Sequence, residues 1–381
     1  MSDPLQRTVG ALRLTQSDEP FVLESGATLA PLVAAYETYG RLNAARSNAI
    51  VVCHALTGSA HAAGHDKQGR AGWWNGLIGP GCAIDTERWF VICPNVIGSC
   101  YGSTGPASIS AATGSAYGAA FPVITVRDIV RAQRLLIGRL GVQQIHAVIG
   151  GSMGGMQTIE WALLYPGLVG RIVPIAASAA HSPWCIGFNA IAREALALGA
   201  AAGDAEAGLR LARKVAMMSY RSDVEFAARF GRDRQHRPLH GDGGFAVEGY
   251  LEHHGRSLAA RFSAESLAVL TRAMDLHDVA RGRGERDDVL ASIRQQALVI
   301  GITSDVLYPE HEQRALARAI PNAGYEAIDS PYGHDAFLIE IPRLAALVRP
   351  FIEEGCAAVN QENAPASAQS FVHHHEEVET V

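Results

Sequence analysis

The stretch Val148-Ile149-Gly150-Gly151-Ser152-Met153-Gly154-Gly155-Met156 constrains the fold of this chain most. An apolar run from Ile145 to Ile149 leads into Gly-x-Ser-x-Gly, and a helix-like run from Met156 to Leu164 leads out. A strand, a turn too tight for side chains and a helix predict an elbow that presents an exposed serine at the end of a sheet. The glycines leave only hydrogens beside a strained serine backbone. The helix that follows aims its free N–H groups and the positive end of its dipole at the serine. Gly-x-Ser-x-Gly by itself is also met as a plain Gly-rich turn. The strand before it and the helix after it give it chemical meaning.

The flanking sequence extends the same architecture. Ala49–Cys53, Trp89 to Asn95 and Arg171 to Ala176 are nearly continuous apolar runs. Such runs fit strands buried on both faces of a mostly parallel sheet. Val126 to Leu140 carries Ile129, Ala132, Leu136 and Leu140 at helical spacing. This alternation predicts an α/β fold with a doubly wound, mostly parallel sheet. From about His181 to Asp288 the strand signal stops. Residues 190–198, 205–218, 224–230 and 263–274 have helical composition, and Gly-rich linkers at 241–244 and 281–286 separate some of them. The sheet resumes at Ala297 to Ile302, and 346–354 closes as a helix. The expected division is a core of 12–180 and 289–355, an inserted helical lid of 181–288, and a disordered tail of 356–381 that contains His373, His374 and His375.

Composition narrows the function classes. A formal net charge of −6 over 381 residues offers no basic field for nucleic acid or a membrane surface. No apolar run reaches membrane-spanning length, and the first residues lack the pattern of a signal peptide. The six cysteines form no CxxC pair or framework, which predicts free thiols in a reducing cytoplasm. The fifteen histidines show no HExxH or Cys/His ligand spacing, so no metal site is expected.

A serine hydroxyl is a weak nucleophile until a base takes its proton. On this architecture the partners follow in the order Ser, Asp or Glu, His. Asp305 stands just past the apolar run at Leu298, and His334 follows in Pro331-Tyr332-Gly333-His334-Asp335. Alone, Asp305 would be a turn residue and His334 a loop histidine. In this order, at strand ends behind an elbow, they predict a Ser152–His334–Asp305 triad. The oxyanion donors are expected to be the backbone N–H groups of Met153 and of Leu56, in the loop after Cys53. His54 is read as a structural loop residue, not a second base.

Together these segments resemble the homoserine O-acetyltransferases, α/β-hydrolase-fold acyltransferases of methionine biosynthesis. The matching motifs are Gly150 to Gln157, His54-Ala-Leu-Thr-Gly58, Gly79-Pro-Gly81 with Ile84-Asp85-Thr86, Asn95 with Gly105-Pro106, and Tyr332-Gly-His-Asp-Ala-Phe337. They span about 12–352 and exclude the tail. The resemblance implies the α/β-hydrolase fold with a helical lid, and Ser152, Asp305 and His334 as the triad of a ping-pong transferase. It implies Arg221 and Asp335 as the homoserine-binding pair and a homodimer through the lid. It also implies L-homoserine and acetyl-CoA as substrates, with no cofactor besides that co-substrate. Succinyl-CoA as donor, serine as acceptor, a plain serine esterase and a non-catalytic binding protein of the same fold remain alternatives at this point.

Overall fold

Eight strands form one sheet: β1 (Thr8–Arg13), β2 (Val33–Tyr39), β3 (Ala49–Cys53), β4 (Phe90–Pro94), β5 (Ile145–Gly151), β6 (Val169–Ile175), β7 (Gln296–Ile302) and β8 (Ala323–Ile328). The computed structural model describes residues 3–16, 18–233 and 244–354. The expected tail at 356–381 and most of the 241–244 linker lie outside them. The spatial order is β1-β2-β4-β3-β5-β6-β7-β8. β1 and β4 each pair antiparallel with β2, and every pairing from β4 to β8 is parallel. The mostly parallel sheet expected from the apolar runs is therefore present. It begins at Thr8, ahead of residue 12 where the core was expected to start.

The apolar runs are continuous because both faces of the strands are covered. Ile50, Val52, Ile149, Val173 and Ile300 pack with Leu344, Val348 and Ile352 of α10 (Ile341–Glu353) on one face. Val51, Val148, Ile172 and Val299 pack on the other with Ile137 of α1 (Val126–Arg139), Ile159 of α2 (Met153–Leu164) and Leu316 of α9 (Glu310–Ala319). Alternate residues serve opposite faces, so the covered stretches of these strands are apolar on both. Thr125 caps α1 reciprocally with Asp128.

Between β6 and β7 run α3 (Pro183–Ala201), α4 (Ala205–Tyr220), α5 (Asp223–Phe230), α6 (Ala246–Ala259), α7 (Ala264–Asp275) and α8 (Arg286–Ala291). Sequence reasoning missed α6. Its Gly249, Gly255 and paired His253-His254 weaken the helical pattern. Gly255 has a packing reason: a Cβ there would lie 3.1 Å from the Arg210 carbonyl oxygen of α4. α8, near the expected end of the insert, packs against α9 of the core.

A buried ion network pins this helical layer. Glu160 on α2 has no solvent exposure. Its carboxylate meets Arg127 Nε of α1 at 3.1 Å and Arg283 Nη2 at 2.8 Å. Glu24 extends the network to Arg127 at 3.2 Å and Arg281 at 2.8 Å.

Candidate active site

The parallel strands deliver their following loops to one edge of the sheet. β3 feeds the His54 loop, β5 feeds Ser152, β7 feeds Asp305 and β8 feeds the His334 loop. The carboxyl edge is where open α/β sheets gather ligand and catalytic groups.

Ser152 has φ 58° and ψ −124°, a backbone conformation rarely held by a non-glycine residue. The neighbouring glycines explain how it fits. A Cβ on Gly154 would lie 2.1 Å from the Cys53 carbonyl oxygen, and one on Gly150 would lie 2.6 Å from Gly154 C. α2 starts at Met153, three residues earlier than the sequence pattern placed it. Ser152 occupies the N-cap position, yet its side chain makes no capping bond. Its hydroxyl is not committed to the helix. Met153 is the first residue of α2, so its N–H has no intrahelical acceptor. The serine was expected to be exposed. It is only 6% accessible, because the helical layer closes over the elbow and leaves it facing a cleft beneath that layer.

Asp305 and His334 are brought together. His334 Nδ1 donates to Asp305 Oδ2 at 2.7 Å. The other carboxylate oxygen, Oδ1, accepts from the Leu307 and Tyr308 N–H groups at 2.8 and 2.9 Å. The His334 Nδ1 contact leaves Nε2, which is buried and has no hydrogen-bond partner among the described residues. The rings of Tyr308 and Phe337 box the imidazole at centroid distances of 5.1 and 5.6 Å. Ser304 ties the two loops: its hydroxyl accepts from Gly333 N–H at 2.9 Å and donates to Ser330 O at 2.5 Å. Burial pulls the His334 pKa down. The Asp305 charge and hydrogen bond, with Asp335 behind them, outweigh burial and hold it above the ordinary 6.5.

Two cavities meet at Ser152. The wider has about 400 Å³ of free space and is walled by Leu56, Arg213, Arg261, His334 and Asp335 among others. The narrower has about 30 Å³ and continues past Ser152 between Leu56, Leu307, Met274 and Tyr308. Leu56 lines both, as a residue offering its backbone to the reacting centre would. His54 does not line either. Its Nε2 accepts from the Val96 N–H at 3.1 Å and its Nδ1 donates to the Ala55 carbonyl at 2.8 Å. Burial lowers its pKa to about 4, so it is a neutral brace for the Leu56 loop.

Asp335 faces the wider cavity, and Arg221 lies behind it, in neither cavity wall. Arg221 Nε stands 3.3 Å from Asp335 Oδ2, an ion pair without hydrogen-bond alignment, and Nη1 lies 4.0 Å from Glu225. Burial raises the Asp335 pKa above its ordinary 3.8, against the pull of Arg213, Arg221 and His334. Sequence reasoning missed much of the wall, including Arg213, Tyr220 and Arg261. Arg213 and Tyr220 are seven apart on α4, a spacing that marks one helix face, and Arg213 lies over the Tyr220 ring at 5.2 Å. Arg261, in the α6–α7 turn, carries no sequence signal. It donates to Thr57 O at 2.8 Å and to the Tyr101 hydroxyl at 2.7 Å. Among the described residues no group of three or more His, Cys, Asp or Glu could hold a metal ion.

Residues 48–340 match the family model of the α/β-hydrolase fold. A homoserine O-acetyltransferase of Moorella thermoacetica is 49% identical over 350 residues, covering 87% of this chain and 93% of that protein. One of Chlorobium chlorochromatii is 47% identical over 348 residues, covering 89% and 94%. The chain belongs to the homoserine O-acetyltransferase family. Among solved structures, homoserine O-acetyltransferase from Bacillus anthracis superposes with a TM-score of 0.84 at 29% identity, covering 92% of this chain and 98% of that one. Esterase E22 superposes at 0.82 with 27% identity, covering 92% and 100%. A transferase and an esterase therefore share this frame.

Proposed function

We propose that the protein moves an acetyl group from acetyl-CoA to the side-chain hydroxyl of L-homoserine, a step of methionine biosynthesis, through a Ser152 acyl-enzyme. The observation that carries this reading is the Asp305–His334 hydrogen bond with the remaining imidazole nitrogen unpaired, in a cavity shared by Ser152 and Asp335. His334 takes the Ser152 proton and Ser152 attacks the thioester. The Met153 and Leu56 N–H groups stabilise the oxyanion, each by about 3–4 kcal/mol. His334 returns the proton to the departing thiolate, and CoA leaves. Homoserine enters, His334 deprotonates its hydroxyl, and the acetyl group passes to it. Asp305 holds the His334 tautomer and stabilises the imidazolium.

Asp335, held from behind by Arg221 at 3.3 Å, takes the ammonium group of the acceptor. A Ser152 only 6% accessible favours transfer over hydrolysis, because a positioned hydroxyl then competes well with water. The relatives at 49% and 47% identity are homoserine O-acetyltransferases, which favours acetyl-CoA over succinyl-CoA as the donor. Acetyl-CoA is a co-substrate, and the chemistry requires no further cofactor.

The assembly we infer is a homodimer through the helical layer. Trp184, Ile191 and Leu198 follow one another at seven-residue intervals on α3 and are 58%, 52% and 62% exposed. Leu211 and Met218 do the same on α4 at 49% and 51%. Apolar stripes of this spacing are what a second helix pair covers. Buried free thiols at Cys53, Cys93 and Cys185 suit a reducing cytoplasm.

The deciding experiment mixes the enzyme with acetyl-CoA alone. About one thiol per active site should appear in a burst, and mass spectrometry should place one acetyl group on Ser152. Homoserine should remove it and yield the O-acetyl amino acid, and the Ser152→Ala protein should show neither event. Release of the acetyl group to water at the same rate with and without homoserine would make the protein an esterase.

A further inference from the structure

The wider cavity has an inner and an outer end. Ser152 and His334 in its wall are buried, whereas Arg70, Ala71 and Arg261 in the same wall are exposed and mark its mouth. The two banks of that mouth come from different parts of the fold. Arg261 belongs to the α6–α7 turn of the helical layer, and Arg70 to a core loop between β3 and β4.

The core loop holds its cations in place. Asp66 Oδ1 accepts from the N–H groups of Gln68 and Arg70, each at 2.9 Å, and Oδ2 meets Arg70 Nε at 2.7 Å. Gly69, at φ +77°, closes the turn. The Asp66 carboxylate is consumed inside this turn. Lys67 beside it is exposed and pairs with no carboxylate among the described residues. Across the mouth, Arg261 spends Nη1 on two neutral acceptors, Thr57 O and the Tyr101 hydroxyl, and it too pairs with no carboxylate among the described residues. Arg261 and Arg70 both act on the Tyr101 phenol electrostatically, so guanidiniums from the two banks reach one point. Three cations against one carboxylate leave a local excess of positive charge on a chain whose formal net charge is −6. A cationic cleft mouth of this kind draws and orients a polyanion.

Resting on the acetyl-transfer reading above, we propose that this mouth docks the nucleotide end of the acyl donor, with Arg261 on one bank and Lys67 and Arg70 on the other taking the phosphates of CoA. The thioester and the pantetheine arm are uncharged and suit a wall to which Leu56, Trp73, Phe337 and Leu338 contribute apolar surface. The phosphates stand a full arm's length from the thioester carbon. With that carbon at Ser152 they fall at the mouth rather than in the interior. Guanidinium and ammonium groups are the side chains that pair with phosphate. Homoserine lacks such an arm, so the two substrates use one cleft in turn and only the donor engages the mouth.

The test compares donors that differ in the nucleotide alone. S-Acetylpantetheine keeps the thioester and the arm and lacks the adenosine phosphates. Lys67→Gln with Arg70→Gln should raise KM for acetyl-CoA about 10-fold, leave its kcat within about twofold, and change kcat/KM for S-acetylpantetheine by less than about twofold. Added salt should weaken wild-type turnover of acetyl-CoA, and both the truncated donor and the double variant should be less salt-sensitive. Arg261→Gln also loosens the Thr57 contact, so both donors should lose rate, with an added loss for acetyl-CoA that Arg261→Lys recovers in part. Calorimetry on the Ser152→Ala protein reads the same contact without turnover. CoA and adenosine 3′,5′-bisphosphate should lose affinity when Lys67 and Arg70 are replaced, and pantetheine should not.

Equal losses for both donors, or a KM for acetyl-CoA that the double variant leaves in place, would overturn the assignment. So would affinities for CoA and pantetheine that fall together. A wild-type enzyme that acetylates no homoserine would refute the transfer reading itself, and the calorimetric affinities would still decide the mouth.

Discussion

Gly333, next to His334, touches the backbone of Arg221 so closely that a Cβ would lie 2.8 Å from Arg221 C and 2.9 Å from its Cα. Its φ of +65° is the left-handed conformation that favours glycine. The end of α4 therefore docks directly on the His334 loop, and the Ser222 hydroxyl donates to Pro331 O at the same junction. Gly333→Ala should push the two apart. We expect a stability loss of about 1–3 kcal/mol and a fall in kcat/KM for homoserine. Thermal melts and steady-state kinetics check it, and unchanged kinetics would show that this contact does not set the His334 position.

The pH dependence of acylation should report His334. The neutral imidazole is the active form, and its pKa is held above 6.5, so the rate of the CoA burst should rise with pH and level off above that value. Asp305→Asn removes the largest upward influence and leaves burial, so the midpoint should move down. The rate should fall on the order of 10⁴-fold, through loss of the tautomer and of imidazolium stabilisation. Asp335→Asn should lower the midpoint in the same direction by less. A midpoint that Asp305→Asn leaves in place would mean another group titrates.

His54 should behave differently. His54→Ala leaves the Val96 N–H and the Ala55 carbonyl without their partners and should cost about 1–3 kcal/mol of stability. The burst should slow because the Leu56 loop loosens, but far less than in Ser152→Ala, and its pH midpoint should stay with His334. Loss of the burst to the Ser152→Ala level in a folded protein would make His54 a direct participant.

The network around Glu160 should be a weak point for stability. Glu160→Leu leaves Arg127 and Arg283 facing no carboxylate on α2 and should destabilise by about 3–5 kcal/mol, measured by denaturant unfolding. A loss below about 1 kcal/mol would place the pair in the class of exposed ion pairs.

The apolar stripes on α3 and α4 predict the assembly state. Trp184→Glu with Ile191→Glu should convert a dimer to a monomer in light scattering, with the far-UV spectrum unchanged. A wild-type protein that is monomeric at micromolar concentration would contradict the dimer.

Much of the sheet was legible because burial on both faces leaves a simple signature. Ala49–Cys53 reads as it folds. Ser152, Asp305 and His334 were legible as candidates because strand ends in known order carry them. α6 was not, since Gly249, Gly255 and the paired histidines erase the periodic pattern. Arg213 and Arg261 were not, since a charged residue on a helix or turn reads as solvated until the tertiary fold turns it inward. The burial of Ser152 was equally hidden, because it depends on where the α3–α8 segment folds back.

The bond from Arg261 to Thr57 has a consequence for how such a scaffold can be trimmed. The helical layer does not merely shade the elbow from water; through Arg261 it grips the loop that carries Leu56, one residue away. Cutting the layer off would not uncover a ready-made hydrolase. On the mechanism proposed above, it would also release a strut of the oxyanion hole. Roof and frame share a beam here, so on that reading selectivity for an acceptor and competence to activate a thioester are built by the same segment and would be lost together.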